Sequence, residues 1–307
     1  MQKTIKLLLF LLPTLLFSCL WLDGTTIDGE HKTRSDYIDR LKQEIQNKTP
    51  QSKLEEVERI YSYDKKTLLE QEEHEAVVLI LKGDYSHAIK ELLILEDKYP
   101  NKYSIASNLG TTYELEGDNK KALTWIEEGI KRNSDAHYGT EWLHLYILEL
   151  KIKLEKNPNL LKKQRAISLP LEFKSENSVQ IGEGKYTIEE LKIALEYQLR
   201  ERITFIKPKN EIMADLFYTS MRILAQTETV EDALNMSDVV LLYGFFDIEL
   251  LEQKRSFYQE IKDNPSLFYI FHDLIDSILP IVILLILALF LFWVLKKIYN
   301  IFFKREI

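Results

Sequence analysis

Asn108-Leu109-Gly110-Thr111-Thr112-Tyr113-Glu114-Leu115-Glu116-Gly117-Asp118-Asn119-Lys120-Lys121-Ala122 is the stretch that decides how this chain folds. Helix-forming residues lead up to Gly117-Asp118, and a second helical run follows. A shift back by 34 residues finds a partner, Gly83-Asp84-Tyr85-Ser86-His87-Ala88. Gly83 then aligns with Gly117, Ala88 with Ala122, Ala76 with Gly110, Leu79 with Tyr113 and Leu92 with Ile126. A fixed period of this length is the signature of stacked helical hairpins. The small residues fall where two helices of a hairpin press together. The glycines supply a turn conformation that a Cβ would penalise. The pattern runs from Leu69 to about Glu149, as two helical hairpins and the first helix of a third.

These residues resemble the tetratricopeptide repeat (TPR) family, in which a small residue, a tyrosine, a turn glycine, an alanine and a terminal proline recur in this order. Pro100 takes the proline position of the first unit, and Ser134 stands there in the second. The resemblance covers roughly 80 of the 307 residues and implies an all-α, TPR-like solenoid of helical hairpins. It also implies a concave face, lined by the first helix of each unit, that holds an extended peptide or a partner's helix. On this register Val77, Ile80 and Leu81 line it from the first unit. Ser107, Asn108, Thr111 and Glu114 line it from the second, and Tyr138, Glu141, Leu145 and Leu148 from the third. Some family members grip a terminal carboxylate with a Lys/Asn/Arg clamp. Here Asn108 alone fits, with Glu73, Val77, Tyr138 and Trp142 at the other clamp positions. Binding through that clamp is therefore not expected.

The composition allows a core: 46% of the residues are hydrophobic and 29% charged. A net charge of −8 without a basic patch in the body argues against nucleic acid. A single cysteine, Cys19, excludes an intrachain disulfide and a cysteine-rich metal site. That cysteine closes residues 1–19, where Lys3 and Lys6 precede an apolar run from Leu7 to Phe17, the pattern of an export signal. Leu16-Phe17-Ser18-Cys19 resembles the lipobox of bacterial lipoproteins, which implies lipidation at Cys19. A plain cleaved signal and an uncleaved anchor are the alternatives.

Residues 20–34 are polar and read as a tether. Residues 35–164 read as the repeat domain, opened by two helices that cap the array, the second started by a capping box at Ser52 and Glu55. Residues 165–186 read as a loop or small hairpin, with a strand-like alternation over 167–173. Residues 187–262 read as a second all-α section whose helices are capped at Thr187, Asn210 and Thr229.

Asn264-Pro265 ends the body, and residues 263–277 form a juxtamembrane stretch with an aromatic cluster over Leu267–Phe271. Residues 278–295 are 18 uncharged residues, enough to span roughly 27 Å as a helix. The tail 296–307 is basic (Lys296, Lys297, Lys304, Arg305) and Asp263, Asp273 and Asp276 precede the span. By the positive-inside rule the tail is cytoplasmic and the body extracytoplasmic, in agreement with an export signal.

Candidate chemistry is sparse. His137, Glu141 and His144 fall at i, i+4 and i+7 and would share one helix face, but no fourth ligand accompanies them. Adjacent carboxylates such as Glu127/Glu128 diverge around a helix. No metal, cofactor, nucleic acid or small-molecule substrate is expected. The sequence points to a non-enzymatic, membrane-anchored scaffold that recruits a protein partner through the groove, unless the helices of 187–262 fill that groove. The alternative is an accessory subunit of an envelope membrane complex, assembled mainly through the span. An enzyme would require a pocket of converging ionisable groups between the two helical sections.

Overall fold

Two turns set the geometry of the central region. Gly83 and Gly117 adopt left-handed φ of 80° and 96°. The next amides, of Asp84 and Asp118, donate to the carbonyls of Leu79 (3.0 Å) and Tyr113 (2.9 Å), closing each preceding helix in the same way. Asp84 and Asp118 then cap the following helices through the amides of His87 and Lys121. The computed structural model of the chain describes residues 22–62, 66–265 and 267–303. The export-signal segment with Cys19, the side chains of the 267–271 aromatic cluster and those of the tail beyond Lys296 lie outside the described residues.

Fourteen helices and two hairpins make up the described residues. The first hairpin pairs β1 (Leu22–Thr25) with β2 (His31–Arg34). It occupies the stretch read as a tether, and the reading is corrected by contacts some two hundred residues away. The Thr25 amide and hydroxyl donate to Glu231 at 2.7 and 3.1 Å, and Arg34 pairs with Asp232 at 3.0 Å. Gly24 lies so close to the body that a Cβ would sit 2.6 Å from Arg34 and 2.7 Å from Thr229. Helix α1 (Tyr37–Asn47) and α2 (Pro50–Tyr61) follow. The cap of α2 is Thr49 with Ser52, three residues earlier than expected, because Pro50 suits the first helical position. Ile38, Leu41 and Ile45 of α1 join the core of the second section.

Helices α3 (Leu68–Leu81), α4 (Tyr85–Lys98), α5 (Tyr103–Glu116), α6 (Asn119–Arg132), the single turn α7 (Ala136–Gly139) and α8 (Glu141–Lys156) come next. Contacts run in chain order, α3 on α4, α4 on α5, α5 on α6 and α6 on α8. Their shared core includes Ala76, Ala88, Leu92, Leu109, Ala122 and Ile126. These include five of the positions the 34-residue period aligned.

After α9 (Leu160–Lys163), residues 166–173 form no strand. Pro170 interrupts, and side chains of a later helix take the loop's backbone groups. Asp215 accepts from the Ala166 amide (2.6 Å) and Gln226 from the Phe173 amide (2.7 Å). The hairpin lies further on, as β3 (Ser178–Ile181) with β4 (Gly184–Thr187). Helices α10 (Ile188–Arg202), α11 (Glu211–Thr227), α12 (Val230–Tyr243) and α13 (Ile248–Asp263) form the second section, capped by Thr187, Asn210, Thr229 and Asp247. Helix α14 (Leu267–Phe303) carries Ile278–Lys296, with mean hydropathy 3.2 and none of it buried. It is long and apolar enough to cross a membrane.

Candidate functional site

Helices α5 and α8 both pack on α6, α10 packs on α8, and side chains of α5, α8 and α10 meet at Glu114, His144 and Arg202. Between them is a cavity of about 120 Å³. Ser107, Thr111 and Glu114 come from α5, Glu141 and His144 from α8, and Tyr197, Gln198 and Arg202 from α10. Phe205, just past α10, packs onto the core shared by α3 to α6. The face expected to be an open groove is thus covered by α10 and the turn after it.

The expected groove residues divide accordingly. Ser107, Thr111, Glu114 and Glu141 line the cavity. Ile80, Leu81 and Leu148 are buried in the hydrophobic core, while Val77, Asn108 and Leu145 are half-buried and outside the cavity lining. Tyr138 is the exception, 83% exposed. It stands in a separate open cleft of about 820 Å³ between α1–α2 and α10, with Arg40, Glu44, Lys48 and Arg200. Tyr197 and Glu201 line both spaces, so cleft and cavity adjoin.

His137 does not continue the helix of Glu141 and His144, as its spacing suggested. His137, Tyr138 and Gly139 all have left-handed φ, 52°, 60° and 68°. For the two non-glycine residues this costs about 1–3 kcal/mol each and persists only where surroundings impose it. The surroundings are visible: the His137 ring stacks on Tyr197 at 5.0 Å, and its Nδ1 meets both Glu141 and the Tyr103 hydroxyl (3.1 Å). The three residues therefore converge despite the break.

The charges are closely paired. Glu114, its side chain 8% exposed, meets His144 Nε2 at 2.6 Å, Lys151 Nζ at 2.8 Å and Arg202 Nη2 at 3.7 Å. Burial alone would raise its pKa, but Arg202, His144 and Lys151 together outweigh burial and hold the carboxyl well below its ordinary range. Glu141 is likewise opposed by burial yet held low by His137 and His144. His137 is raised, chiefly by its hydrogen bond to Glu141. Both ring nitrogens of His144 face carboxylates, Glu114 on one side and Glu141 at 3.5 Å on the other. Among the described residues no group of three or more His, Cys, Asp or Glu has an arrangement fit for a metal ion.

Sequence reasoning missed Tyr197, Gln198, Arg202 and Phe205. One signal was present. Leu191, Leu195 and Leu199 step by four, and Arg202 lies seven residues after Leu195, on the same apolar face. A cation at such a position is buried and requires partners. No protein-family model matches the chain and no curated protein matches it, so the reading of this site rests on its own geometry.

Proposed function

We propose that this is a non-enzymatic, membrane-anchored scaffold: a TPR-like helical solenoid, braced by the second helical section, that takes a segment of a protein partner in the cleft between α1–α2 and α10. The observation that carries this is Tyr138, a large aromatic side chain held 83% exposed on strained backbone at that cleft. Strained non-glycine residues cluster where a surface is shaped for a ligand. Aromatic side chains bring large contact area at low entropic cost. The approximately 820 Å³ of the cleft suits an extended segment, whereas the approximately 120 Å³ cavity is small for a substrate pocket. In this reading α14 is the single span, the body is extracytoplasmic, the tail is cytoplasmic and Cys19 carries lipid.

A photo-crosslinking amino acid at Tyr138, in intact cells, tests it. A discrete protein adduct should form there and not from Lys131, an exposed position on α6. No adduct, or the same adduct from both positions, defeats the cleft reading. Protease added to spheroplasts should digest the body and spare the tail; the reverse defeats the orientation. A second reading, assembly into a membrane complex through α14, is favoured by the unburied apolar surface of Ile278–Lys296. It predicts that the adduct disappears when the span is exchanged for an unrelated one.

A further inference from the structure

The first hairpin and the last two helices meet at one end of the second section. Strand β1 packs on α12 and α13, and β2 packs on α14. Side chains tie the hairpin to the α11–α12 turn and the first turn of α12: Thr25 with Glu231, Lys32 with Glu228 (2.7 Å) and Arg34 with Asp232 (3.0 Å). Helix α13 packs on α12 after a short link and so runs back along it to the same end, where Asn264-Pro265 leads into α14. The opposite end of α12 belongs to the cleft. There the Tyr243 hydroxyl donates to the Ile206 carbonyl (3.1 Å), just past the cleft residues Arg200 and Glu201 of α10.

The apolar part of α14 begins at Ile278, and none of Ile278–Lys296 is buried. The contact with β2 therefore falls on the stretch ahead of it, residues 267–277, which rises at most roughly 16 Å. The headgroup layer fills about 5–8 Å of that height. We propose that the β1–β2 hairpin rests on the phospholipid surface beside the entry of α14, and that the body is seated on the membrane by this end. The inference rests on α14 as the span, not on the cleft. The lipidation reading agrees with it. Leu22 is three residues after Cys19, a reach of at most roughly 11 Å, so lipid at Cys19 requires the hairpin at this same level. Headgroup charge is not what holds it. Asp23 pairs with His31 (2.7 Å), Lys32 and Arg34 are engaged by Glu228 and Asp232, and Asp28 and Glu30 are exposed acids. The packing of β2 on α14 keeps the hairpin in place instead. Helix α12, 14 residues and roughly 21 Å long, separates this seat from the cleft.

The test uses the full-length chain in phosphatidylcholine vesicles doped with headgroup-spin-labelled phosphatidylcholine. A fluorescent amino acid replaces Thr33, exposed on β2, or Leu242, exposed at the far end of α12. The Thr33 probe should lose most of its fluorescence to the spin label, and the Leu242 probe should keep its own. The loss at Thr33 should persist in Cys19→Ser, because α14 holds the hairpin without the lipid. Retained fluorescence at Thr33, an equal loss at Leu242, or a loss that vanishes in Cys19→Ser overturns the proposal. Should the probe at Thr33 disturb the strand, Asp28, exposed in the β1–β2 turn, takes its place with the same outcomes. A probe at Leu287, with the spin label moved to the acyl chains, separates the two readings. Quenching at Leu287 without quenching at Thr33 refutes the seat and leaves the span standing. An unquenched Leu287 refutes the span, and the seat with it.

Discussion

Gly110→Ala probes the contact between α5 and α6. A Cβ built there lies 2.5 Å from Ile126 Cδ1, 2.7 Å from its Cγ1 and 3.2 Å from its backbone nitrogen. Ile126 is 1% exposed and β-branched, so its side chain has little room to turn aside. One extra methyl in such a site costs about 1–3 kcal/mol. The better helix propensity of alanine returns about 1 kcal/mol. The net loss is therefore about 0–2 kcal/mol, a fall in Tm of at most a few degrees for a body of this size. Ile126→Ala removes both clashing side-chain atoms and by itself costs about 2–5 kcal/mol. In that background Gly110→Ala should be neutral or stabilising by up to about 1 kcal/mol, leaving a coupling of about 1–3 kcal/mol. Ile126→Val, which removes only Cδ1, should give an intermediate value. Thermal melts of the four proteins in detergent, followed by circular dichroism, measure the cycle. Equal losses from Gly110→Ala in both backgrounds would refute the packing argument, and with it the 34-residue register that places Gly110 against the following helix.

Three further outcomes follow from the geometry. Gly83→Ala and Gly117→Ala should each cost about 1–2 kcal/mol by the same mechanism, since both have left-handed φ and nothing within 4 Å of a new Cβ; clearly unequal Tm shifts would mean the two turns are not equivalent. Glu114→Gln should cost about 3–5 kcal/mol, because Lys151 and Arg202 lose the charge they share, and a change below 1 kcal/mol in chemical or thermal melts would show the network to be slack. Since the Glu114 pKa is lowered in the fold, its contribution is present above the unfolded value of about 4.3 and is lost as pH falls through the folded one. Asp215, 2% exposed, behaves oppositely: burial pushes it up to about 6 against the pull of the Ala166 amide and Arg165. Its contribution is complete below about pH 4 and lost as pH rises through about 6, some 3 kcal/mol in all. Asp215→Asn should remove that slope, as read from the difference between mutant and wild-type melts over pH 4–7.

What the sequence disclosed was local. The caps at Thr187, Asn210 and Thr229 depend on residues within three positions, and each was readable. So were Gly83 and Gly117, because a turn glycine followed by a capping aspartate is a four-residue signal. The 22–34 hairpin was not readable, since Glu231 and Asp232 hold it and polar residues alone look like a tether. The site was half legible for the same reason. Glu114, Glu141 and His144 lie on helices whose register the period fixes, but which distant helix covers them is not encoded in that period. The left-handed run at His137 and Tyr138 was hidden too, because Tyr103 and Tyr197, which meet the His137 ring, lie on other helices.

The cover itself has a physical logic. Helix α8 serves two cores: Leu143, Ile147, Leu150 and Leu154 pack into the second section, while Leu148 packs with α3 to α6. Glu141 and His144 therefore stand on the seam between the two. Helix α10 reaches that seam with Leu191, Leu195 and Leu199 buried in one core, and its following turn sends Phe205 to the other. Apolar contacts of this kind are tolerant of small slips. An ion pair under a buried seam is not, because a slip of α10 by one helical turn would take Arg202 away from Glu114 and leave a buried cation uncompensated, at several kcal/mol, while Glu114 keeps His144 and Lys151. The Arg202–Glu114 contact thus favours one placement of α10 against α5.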